Sequence, residues 1–307
     1  MTLTEIIDTL KFNFNPSKVI ISFEKTIGFY NESDNASKGN NIRKGLENNP
    51  YSDSVGDSVK SSSTVNISQN GVSPFIKLEN VWKTYKMGDT EFAALAGINL
   101  EINEGEFLVI LGPSGSGKST LMNLIGCLDL PSKGTIYLDS KNIANLAESE
   151  LARIRGEMIG FIFQSFNLIP TLNTEENIML PMEFQEANMN EGRKRAEYLL
   201  RIVGLSDKIQ NLPSQLSGGQ MQRVAIARSL AVNPPIILAD EPTGNLDTKG
   251  NYILDFLNGL HEREGKTIII VTHDLDIIKY ATRVVYIRDG KIERIEKRTK
   301  NEPEELK

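Results

Sequence analysis

The sequence predicts an α/β fold, in which a mixed sheet core carries an antiparallel β subdomain and an inserted α-helical subdomain. Four continuous apolar runs alternate with helical segments, which is typical of parallel strands covered on both faces. Other segments alternate apolar with polar residues, as half-exposed strands do. Residues 174 to 231 are rich in helical spacing and predict a separate helical lobe.

The strands follow from two kinds of pattern. Alternation predicts antiparallel strands at residues 75 to 85, 98 to 102, 135 to 138 and 284 to 287, the last followed by an Asp289-Gly290 hairpin turn. Continuous apolar runs predict buried parallel strands at residues 107 to 111, 159 to 163, 236 to 239 and 268 to 271. In the helical lobe, residues 191 to 203 have helical spacing and Gly204 is expected to end that helix.

Composition excludes several classes of protein. Among 307 residues, Cys127 is the only cysteine, which excludes an internal disulfide framework and a cysteine-based zinc site. The net charge of −6 argues against a nucleic-acid partner. No apolar run approaches the roughly 18 residues of a membrane span, and Glu5 and Asp8 interrupt any signal-like start. We therefore expect a cytoplasmic protein.

The chain divides into three parts by composition. Residues 1–73 form an N-terminal extension of low complexity, expected to be disordered, because residues 31 to 73 contain ten serines, eight asparagines and four glycines. Helical spacing between Leu3 and Leu10 leaves a docking helix as the alternative. The globular domain is expected to span 74–293, with its helical subdomain at about 165–232, and residues 294–307 form a charged C-terminal tail.

A glycine-rich loop follows the first buried strand. Residues 112 to 119 fit the pattern G-x-x-x-x-G-K-[ST] and precede an apolar helix, the context that a phosphate-binding loop requires. The backbone N–H groups of such a loop cradle phosphates, Lys118 supplies charge to the outer phosphates, the Ser119 hydroxyl can ligate Mg²⁺, and Thr120 can add a hydrogen bond. The expected binding residues are Gly112, Pro113, Ser114, Gly115, Ser116, Gly117, Lys118, Ser119 and Thr120.

Polar residues follow three further buried strands. Asp240 and Glu241 end the third apolar run, Gln164 follows the second, and His273 follows the fourth. Because ligands of open α/β sheets bind at the carboxyl ends of the strands, these side chains are expected to meet the phosphate loop there. Asp240 is expected to hold Mg²⁺, Glu241 to orient or deprotonate an attacking water, and His273 to donate a hydrogen bond to a γ-phosphate.

A second glycine-rich helix start lies in the helical lobe. Ser217 and Gln220 form a capping box, and Gly218 and Gly219 leave the helix N-terminus without bulky side chains. The phosphate loop already provides a triphosphate site, and Ser217 lies 99 residues after Lys118. We therefore expect this second anion-binding surface to contact a nucleotide on another molecule.

These motifs together resemble the nucleotide-binding subunits of ABC transporters, over about residues 75 to 293. The phosphate loop, Gln164, the LSGGQ run at 216 to 220, Asp240-Glu241, residues 245 to 247 and His273 occur in that family's order. Residues 126 to 129, 163 to 170 and 239 to 247 resemble more narrowly the lipoprotein-releasing and the macrolide or antimicrobial-peptide export ATPases.

The resemblance implies specific roles and partners. It implies a P-loop NTPase fold of ABC type, with ATP and Mg²⁺ as ligands, Tyr85 stacked on adenine, Lys118 and Gln164 among the catalytic residues, and Gln164 beside Mg²⁺. It further implies an ATP-dependent head-to-tail dimer in which Ser217, Gly218, Gly219 and Gln220 contact the partner's nucleotide. A separate transmembrane permease, contacted at residues 166 to 172, would then place the chain peripherally at the cytoplasmic face of the membrane, held there only through that permease.

Two alternatives remain open from the sequence. The same ATP-closed dimer serves non-transport ABC ATPases of the cell-division type, which act as mechanical or signalling switches on a membrane protein. The apolar loop at 166 to 172 could also pack against the chain's own helical lobe.

Overall fold

The computed structural model describes residues 73–88, 90–185, 187–243 and 250–298. Within them, the strands are β1 (Ile76–Met87), β2 (Thr90–Ile102), β3 (Phe107–Leu111), β4 (Lys133–Leu138), β5 (Lys141–Asn142), β6 (Ile159–Ile162), β7 (Ile236–Asp240), β8 (Thr267–Thr272), β9 (Arg283–Arg288) and β10 (Lys291–Lys297). The α-helices are α1 (Lys118–Ile125), α2 (Glu148–Met158), α3 (Thr174–Glu183), α4 (Met189–Ile202), α5 (Gly218–Ser229) and α6 (Gly250–Glu264).

Two sheets form from the described strands. The first is antiparallel, with the order β2-β1-β4-β5, and the second has the order β10-β9-β3-β8-β7-β6. In the second sheet β3, β6, β7, β8 and β9 run parallel, and β10 pairs antiparallel with β9. The four continuous apolar runs are therefore parallel strands, as predicted, and the mixed α/β fold class is confirmed.

The parallel sheet is covered on both faces. In β3, the side chains of Phe107, Val109 and Leu111 lie in one hydrophobic core together with the helical lobe, while Leu108 and Ile110 lie in a second core with the antiparallel sheet. Every residue of β3 is buried, because both faces bury apolar surface. This double burial fixes the carboxyl edge of the sheet, from which the polar segments emerge.

Three elements differ from the sequence-based expectation. Strand β2 begins at Thr90, eight residues before the alternating segment at 98 to 102. Strand β9 pairs antiparallel with β10 as expected for a hairpin, but it also joins β3 in parallel. Strand β10 continues to Lys297, four residues past the expected domain end at 293, because Lys297 still pairs with Arg283.

The helical lobe lies between β6 and β7 along the chain. It contains α3, α4 and α5, and α3 packs against both of the others. Helix α4 begins at Met189, two residues earlier than expected, because the Asn188 side chain accepts a hydrogen bond from Asn190 N. Gly204 follows α4 with a positive φ of 68°, as expected of a helix stop.

Candidate functional site

The loop between β3 and α1 leads into a helix N-terminus that no side chain caps. Helix α1 starts after Gly117, which has a left-handed φ of 101° and provides no side-chain cap. A Cβ atom at Gly117 would lie 2.5 Å from the Ala94 carbonyl oxygen, so only glycine fits there. The Ser116 Oγ is buried and has no hydrogen-bond partner. The loop therefore offers unclaimed donors around a helix N-terminus, which suits a phosphate.

Lys118 is folded against its own loop. Its Nζ donates to the carbonyl oxygens of Gly112 at 2.8 Å and Pro113 at 3.0 Å, and the residue is buried. The ammonium group thus lies at the centre of the loop, where a bound phosphate would give it an anionic partner.

The two carboxylates lie at the carboxyl end of β7, at the same edge of the sheet: Asp240 is its last residue and Glu241 follows it. Burial raises the pKa of Asp240, and a hydrogen bond with Ser119 partly opposes that shift. The Ser119 hydroxyl and the Asp240 carboxylate thus provide adjacent oxygen atoms that could coordinate a cation. Glu241 comes next with a φ of 44°, in the left-handed region, and its backbone N–H donates to Val271 O at 2.9 Å. This conformation turns the chain away from the sheet directly after Asp240.

Glu241 is held by the end of β8. Its Oε2 accepts a hydrogen bond from Thr272 Oγ1 at 2.9 Å, and its Oε1 accepts from His273 N at 3.1 Å. The Nδ1 of His273 lies 2.7 Å from the same Oε1, and the His273 side chain is otherwise largely exposed. An ionised carboxylate only accepts hydrogen bonds, so Nδ1 carries the proton in this pair, which leaves Nε2 directed elsewhere.

These groups surround one cleft of about 400 Å³. The predicted site residues that line it are Tyr85, Ser114, Gly115, Gly117, Lys118, Ser119, Thr120, Gln164, Asp240, Glu241 and His273. Gly112, Pro113 and Ser116 belong to the same loop but do not line the cleft. The structure therefore brings together the four strand ends that the sequence placed at one edge.

The second glycine-rich motif lies elsewhere. Gln220 N donates to Ser217 Oγ at 3.3 Å, and Ser217 N donates to Gln220 Oε1 at 2.8 Å, which is the capping box expected from the sequence. None of Ser217, Gly218, Gly219 and Gln220 is among the described residues that line the cleft. Residues 245 to 247, which completed the family pattern, lie outside the described residues.

Helix α5, which starts at this motif, is bonded to two segments beside the cleft. Gln222 Nε2 donates to the carbonyl oxygen of Pro242, directly after Glu241, at 3.0 Å. The Arg228 guanidinium donates to the carbonyl oxygens of Asn167 at 2.5 Å and Phe166 at 2.8 Å. The helix is thus fixed to the chain just beyond Glu241 and just beyond Gln164.

Sequence reasoning missed several residues of the site. Phe92 and Ala94 line the cleft, and Phe92 is the antiparallel partner of Tyr85 in the register of β1 and β2. Thr272 holds Glu241, and Asp129 accepts a hydrogen bond from the Tyr85 hydroxyl at 3.0 Å. The position of Thr272 immediately before His273 was the available signal, whereas Phe92 and Asp129 required strand pairing and tertiary contacts.

The donor set of the cleft suits a hard cation together with phosphate. Among the described residues, no group of three or more His, Cys, Asp or Glu side chains could hold a metal ion. Ser119, Gln164 and Asp240 all line the cleft and provide hydroxyl, amide and carboxylate oxygens, the ligand types that Mg²⁺ takes when phosphates complete its shell. Fold and site together define a nucleoside-triphosphate-binding protein of the phosphate-loop class.

Comparison with known proteins narrows this class. Residues 95–244 match the family model described as ABC transporter. The chain is 53% identical over 227 residues to the ABC transporter ATP-binding protein MJ0796 of Methanocaldococcus jannaschii, which covers 72% of this chain and 97% of the relative. It is 46% identical over 221 residues to the macrolide export ATP-binding/permease protein MacB of Syntrophobacter fumaroxidans, covering 71% of this chain and 31% of MacB.

A solved structure agrees with these matches. The dimeric structure of a post-hydrolysis state of the ATP-binding cassette MJ0796, bound to ADP and Pi, superposes with a TM-score of 0.70 at 51% identity, over 72% of this chain and 98% of that chain. The chain belongs to the ABC transporter family and is one of its ATP-binding proteins. Within the part of the chain that the structure describes, no helix has the length and apolar character to cross a bilayer.

Proposed function

We propose that this chain is the ATP-binding and ATP-hydrolysing subunit of an ABC transporter and that two copies close head to tail around two ATP molecules to drive a separate membrane permease. The observation that carries the proposal is the separation of the two glycine-rich helix starts. The phosphate loop lines the chain's own cleft, whereas Ser217 and its neighbours do not. A second copy supplies the missing contact, as the dimeric form described for MJ0796 supports.

Within one cleft, each residue has a distinct task. The loop N–H groups and Lys118 bind the phosphates, and Tyr85 stacks on the base. Ser119, Gln164 and Asp240 would hold Mg²⁺, which would neutralise charge on the outer phosphates. Glu241 orients a water for attack on the γ-phosphate and accepts its proton. Thr272 Oγ1, His273 N and His273 Nδ1 donate to three of the roughly four lone-pair sites of its carboxylate, so one site on Oε2 remains free for the water.

His273 completes this arrangement from the other side. Because its Nδ1–H donates to Glu241, donation from Nε2 to the γ-phosphate requires the doubly protonated ring. The charged ring then interacts with both the Glu241 carboxylate and the phosphate. His273 is thus both a support for the carboxylate and a donor to the transferring group.

The permease contact is proposed at the loop after Gln164. The Phe166, Leu168 and Ile169 side chains are half-buried, and Leu168 packs against the core of the helical lobe. Part of the loop therefore packs against the chain's own helical lobe, which was the alternative expectation. Of its apolar residues, Phe166 is the one we propose for contact with the permease. The name of the MacB relative, which combines ATP-binding and permease functions, supports an export role. Through the permease, the chain is held at the cytoplasmic face of the membrane.

We also propose the domain limits. The ATPase domain extends from residue 74 to the end of β10, with the helical subdomain at about 165–232, and residues 1–73 form a separate N-terminal extension without a motif of the site.

The decisive experiment is ATP-dependent dimerisation of the Glu241→Gln variant. The amide retains the shape of Glu241 and an oxygen that accepts from His273 N, but it cannot accept a proton. Size-exclusion chromatography with MgATP should show a stable dimer, and the same variant without nucleotide should be monomeric. As a control, adding Lys118→Ala should abolish the dimer because ATP no longer binds. A Glu241→Gln protein that binds ATP and stays monomeric would contradict the proposal.

The permease contact has its own test. Co-expression with a cognate transmembrane permease should recruit the chain to membranes, and Phe166→Glu should release it while basal hydrolysis persists. Ile295→Glu is the matched control, since Ile295 is an exposed apolar residue on β10. Retention of Phe166→Glu at the membrane would place the contact elsewhere.

A further inference from the structure

The hydroxyl of Tyr85 is hydrogen-bonded to a residue that lies 44 positions away in the sequence. Its Oη donates to Asp129 Oδ2 at 3.0 Å, while its ring lines the cleft and is 37% exposed. The other carboxylate oxygen, Asp129 Oδ1, pairs with Lys83 Nζ at 2.5 Å. One carboxylate therefore bridges the two residues, which lie two positions apart on β1.

Lys83 occupies one face of the Tyr85 ring. Its Nζ lies 5.1 Å from the ring centroid, within the range of a cation–π contact. The same Nζ donates to Leu130 O at 2.9 Å, and the Lys83 side chain is only 13% exposed. Lys83 is not among the residues that line the cleft. The ring therefore presents to the cleft the face that the ammonium group does not cover.

Asp129 is itself held in place. Its Oδ1 accepts a hydrogen bond from Leu130 N at 2.8 Å in addition to the Lys83 pair. The bonds from Lys83, Leu130 and Tyr85 lower the pKa of Asp129, against the opposing effect of burial, so the carboxylate is the form that this network holds. Burial and the bond to Asp129 raise the pKa of Tyr85, which keeps the phenol protonated as the donor.

We propose that Asp129 and Lys83 are positioning residues for Tyr85, which fix the angle of its ring so that the open face receives the base of the bound nucleoside triphosphate. The inference rests on the proposed function, since it assigns a ligand to that ring face. A ring fixed at its hydroxyl and covered on one side loses less freedom when a base stacks on it, so binding costs less entropy. The exposed Phe92, paired with Tyr85 in the strand register, extends the same aromatic wall.

A purely structural role for Asp129 makes a different prediction. In that case the carboxylate only ties β1 to the segment after α1, and its loss would disturb the neighbouring phosphate loop as well. Inorganic tripolyphosphate separates the two roles, because it engages the phosphate loop and has no base to stack on Tyr85.

The experiment compares binding of MgATP with binding of magnesium tripolyphosphate by titration calorimetry. Asp129→Ala should weaken MgATP about threefold to tenfold, the range expected for a misplaced aromatic contact, and leave tripolyphosphate unchanged. Tyr85→Phe, which retains the ring but not the donor, and Lys83→Met should shift MgATP binding in the same direction by smaller factors. For Asp129→Ala, whose side chain does not line the cleft, the rate of hydrolysis at saturating ATP should stay within about twofold of wild type.

Asp255→Ala is the matched control. Asp255 accepts a hydrogen bond from the Tyr280 hydroxyl at 2.6 Å, a carboxylate–tyrosine pair that does not line the cleft, so both ligands should bind that variant as they bind the wild type. Equal weakening of both ligands by Asp129→Ala, or no weakening of MgATP, would overturn the positioning role. A wild-type chain that binds neither ligand would instead overturn the proposed function.

Discussion

Two helices of this protein begin with glycine-rich segments, yet their N-termini are built in opposite ways. Helix α1 starts after Gly117, whose left-handed backbone provides no side-chain cap. Helix α5 starts after Ser217, whose extended backbone and hydroxyl form a complete capping box with Gln220. The first end leaves its N–H groups unclaimed by side chains, and the second has already satisfied one of its own.

The difference indicates how each end would meet an anion. At α1 the phosphate takes the place of the missing cap and bonds to the backbone directly. At α5 the Ser217 oxygen accepts from Gln220 N, so the hydroxyl hydrogen remains available to donate outward. The capping box therefore orients one side-chain donor for a ligand that lies outside the chain's own cleft.

The two ends also differ in what supports them. Helix α1 follows β3, an interior strand of the second sheet, and its loop lines the cleft. Helix α5 belongs to the helical lobe and reaches the cleft only indirectly, through the bonds of Gln222 to Pro242 O and of Arg228 to the loop at Phe166 and Asn167. The N-terminus of α1 is therefore part of the cleft within its own subunit. The N-terminus of α5 lies outside that cleft, and α5 is joined to it only through these hydrogen bonds.

The largest expected effect comes from Lys118→Ala at the uncapped end. This change removes both the charge that faces the phosphates and the bonds that brace the loop at Gly112 and Pro113. Hydrolysis should fall by a factor on the order of 100 or more, as for other losses of a group that stabilises developing charge. Phosphate release and fluorescent-nucleotide binding measure the two consequences.

The control for this change is Lys141→Ala, which removes an exposed lysine on the edge strand β5. It should hydrolyse ATP at the wild-type rate. Wild-type hydrolysis and affinity in Lys118→Ala would mean that the uncapped helix end is not the phosphate site, and the contrast between the two ends would lose its functional meaning.

A smaller and more selective effect is expected from Ser217→Ala at the capped end. The affinity of the single subunit for ATP should be unchanged. The rate of hydrolysis should fall about tenfold, which corresponds to an increase of roughly 1.4 kcal/mol in the activation free energy. Loss of the N-cap should lower the free energy of unfolding by about 1 kcal/mol. Steady-state kinetics, nucleotide titration and thermal unfolding measure these three quantities separately.

Asn173→Ala provides the matched comparison. Asn173 caps α3 with the same reciprocal box, accepting from Glu176 N at 2.9 Å while Asn173 N donates to the Glu176 side chain at 2.8 Å. It should lose similar stability but keep its hydrolysis rate. Equal losses of hydrolysis in both variants would reduce Ser217 to a helix cap.

The sequence predicted the parallel sheet well, because burial on both faces demands continuous apolar runs that no other element of that length requires. It predicted β2 poorly. Register shifts between Leu78 and Val81 and between Lys83 and Thr84 mark irregular pairing of β1 with β2, and such bulges disrupt the alternation by which half-exposed strands are found. The early part of β2 is also largely exposed, so it has little apolar signal.

In the candidate site too, some residues could be predicted from the sequence and others could not. Lys118 was found through the glycine-rich motif that follows β3. Asp240 and His273 were found because they lie at the ends of buried strands, and parallel strands deliver their carboxyl ends to one edge. Asp129 carries no such local signal, since its link to Tyr85 depends on how the segment after α1 meets β1. Residues that act on ligands were visible in the sequence, and residues that hold them in place needed the tertiary structure.

The smallest of these effects is expected from Arg228→Lys, which tests the link between the two ends. The guanidinium donates to two consecutive carbonyls, those of Phe166 and Asn167, and both of these residues have left-handed backbones with φ of 59° and 50°. A lysine cannot reproduce this two-pronged bond, so the loop that follows Gln164 should relax. ATP affinity should be retained while the maximal rate of hydrolysis falls about twofold to fivefold.

Arg195→Lys is the control that separates this link from general stability. Arg195 is a buried arginine that likewise donates to two consecutive carbonyls, those of Leu230 and Ala231, at the far end of α5 from Ser217. The two variants should lower the Tm similarly, and only Arg228→Lys should lower the maximal rate. If both slow hydrolysis equally, α5 matters through its stability alone. If neither does, the bond between α5 and the loop does not connect the capped helix end to the cleft.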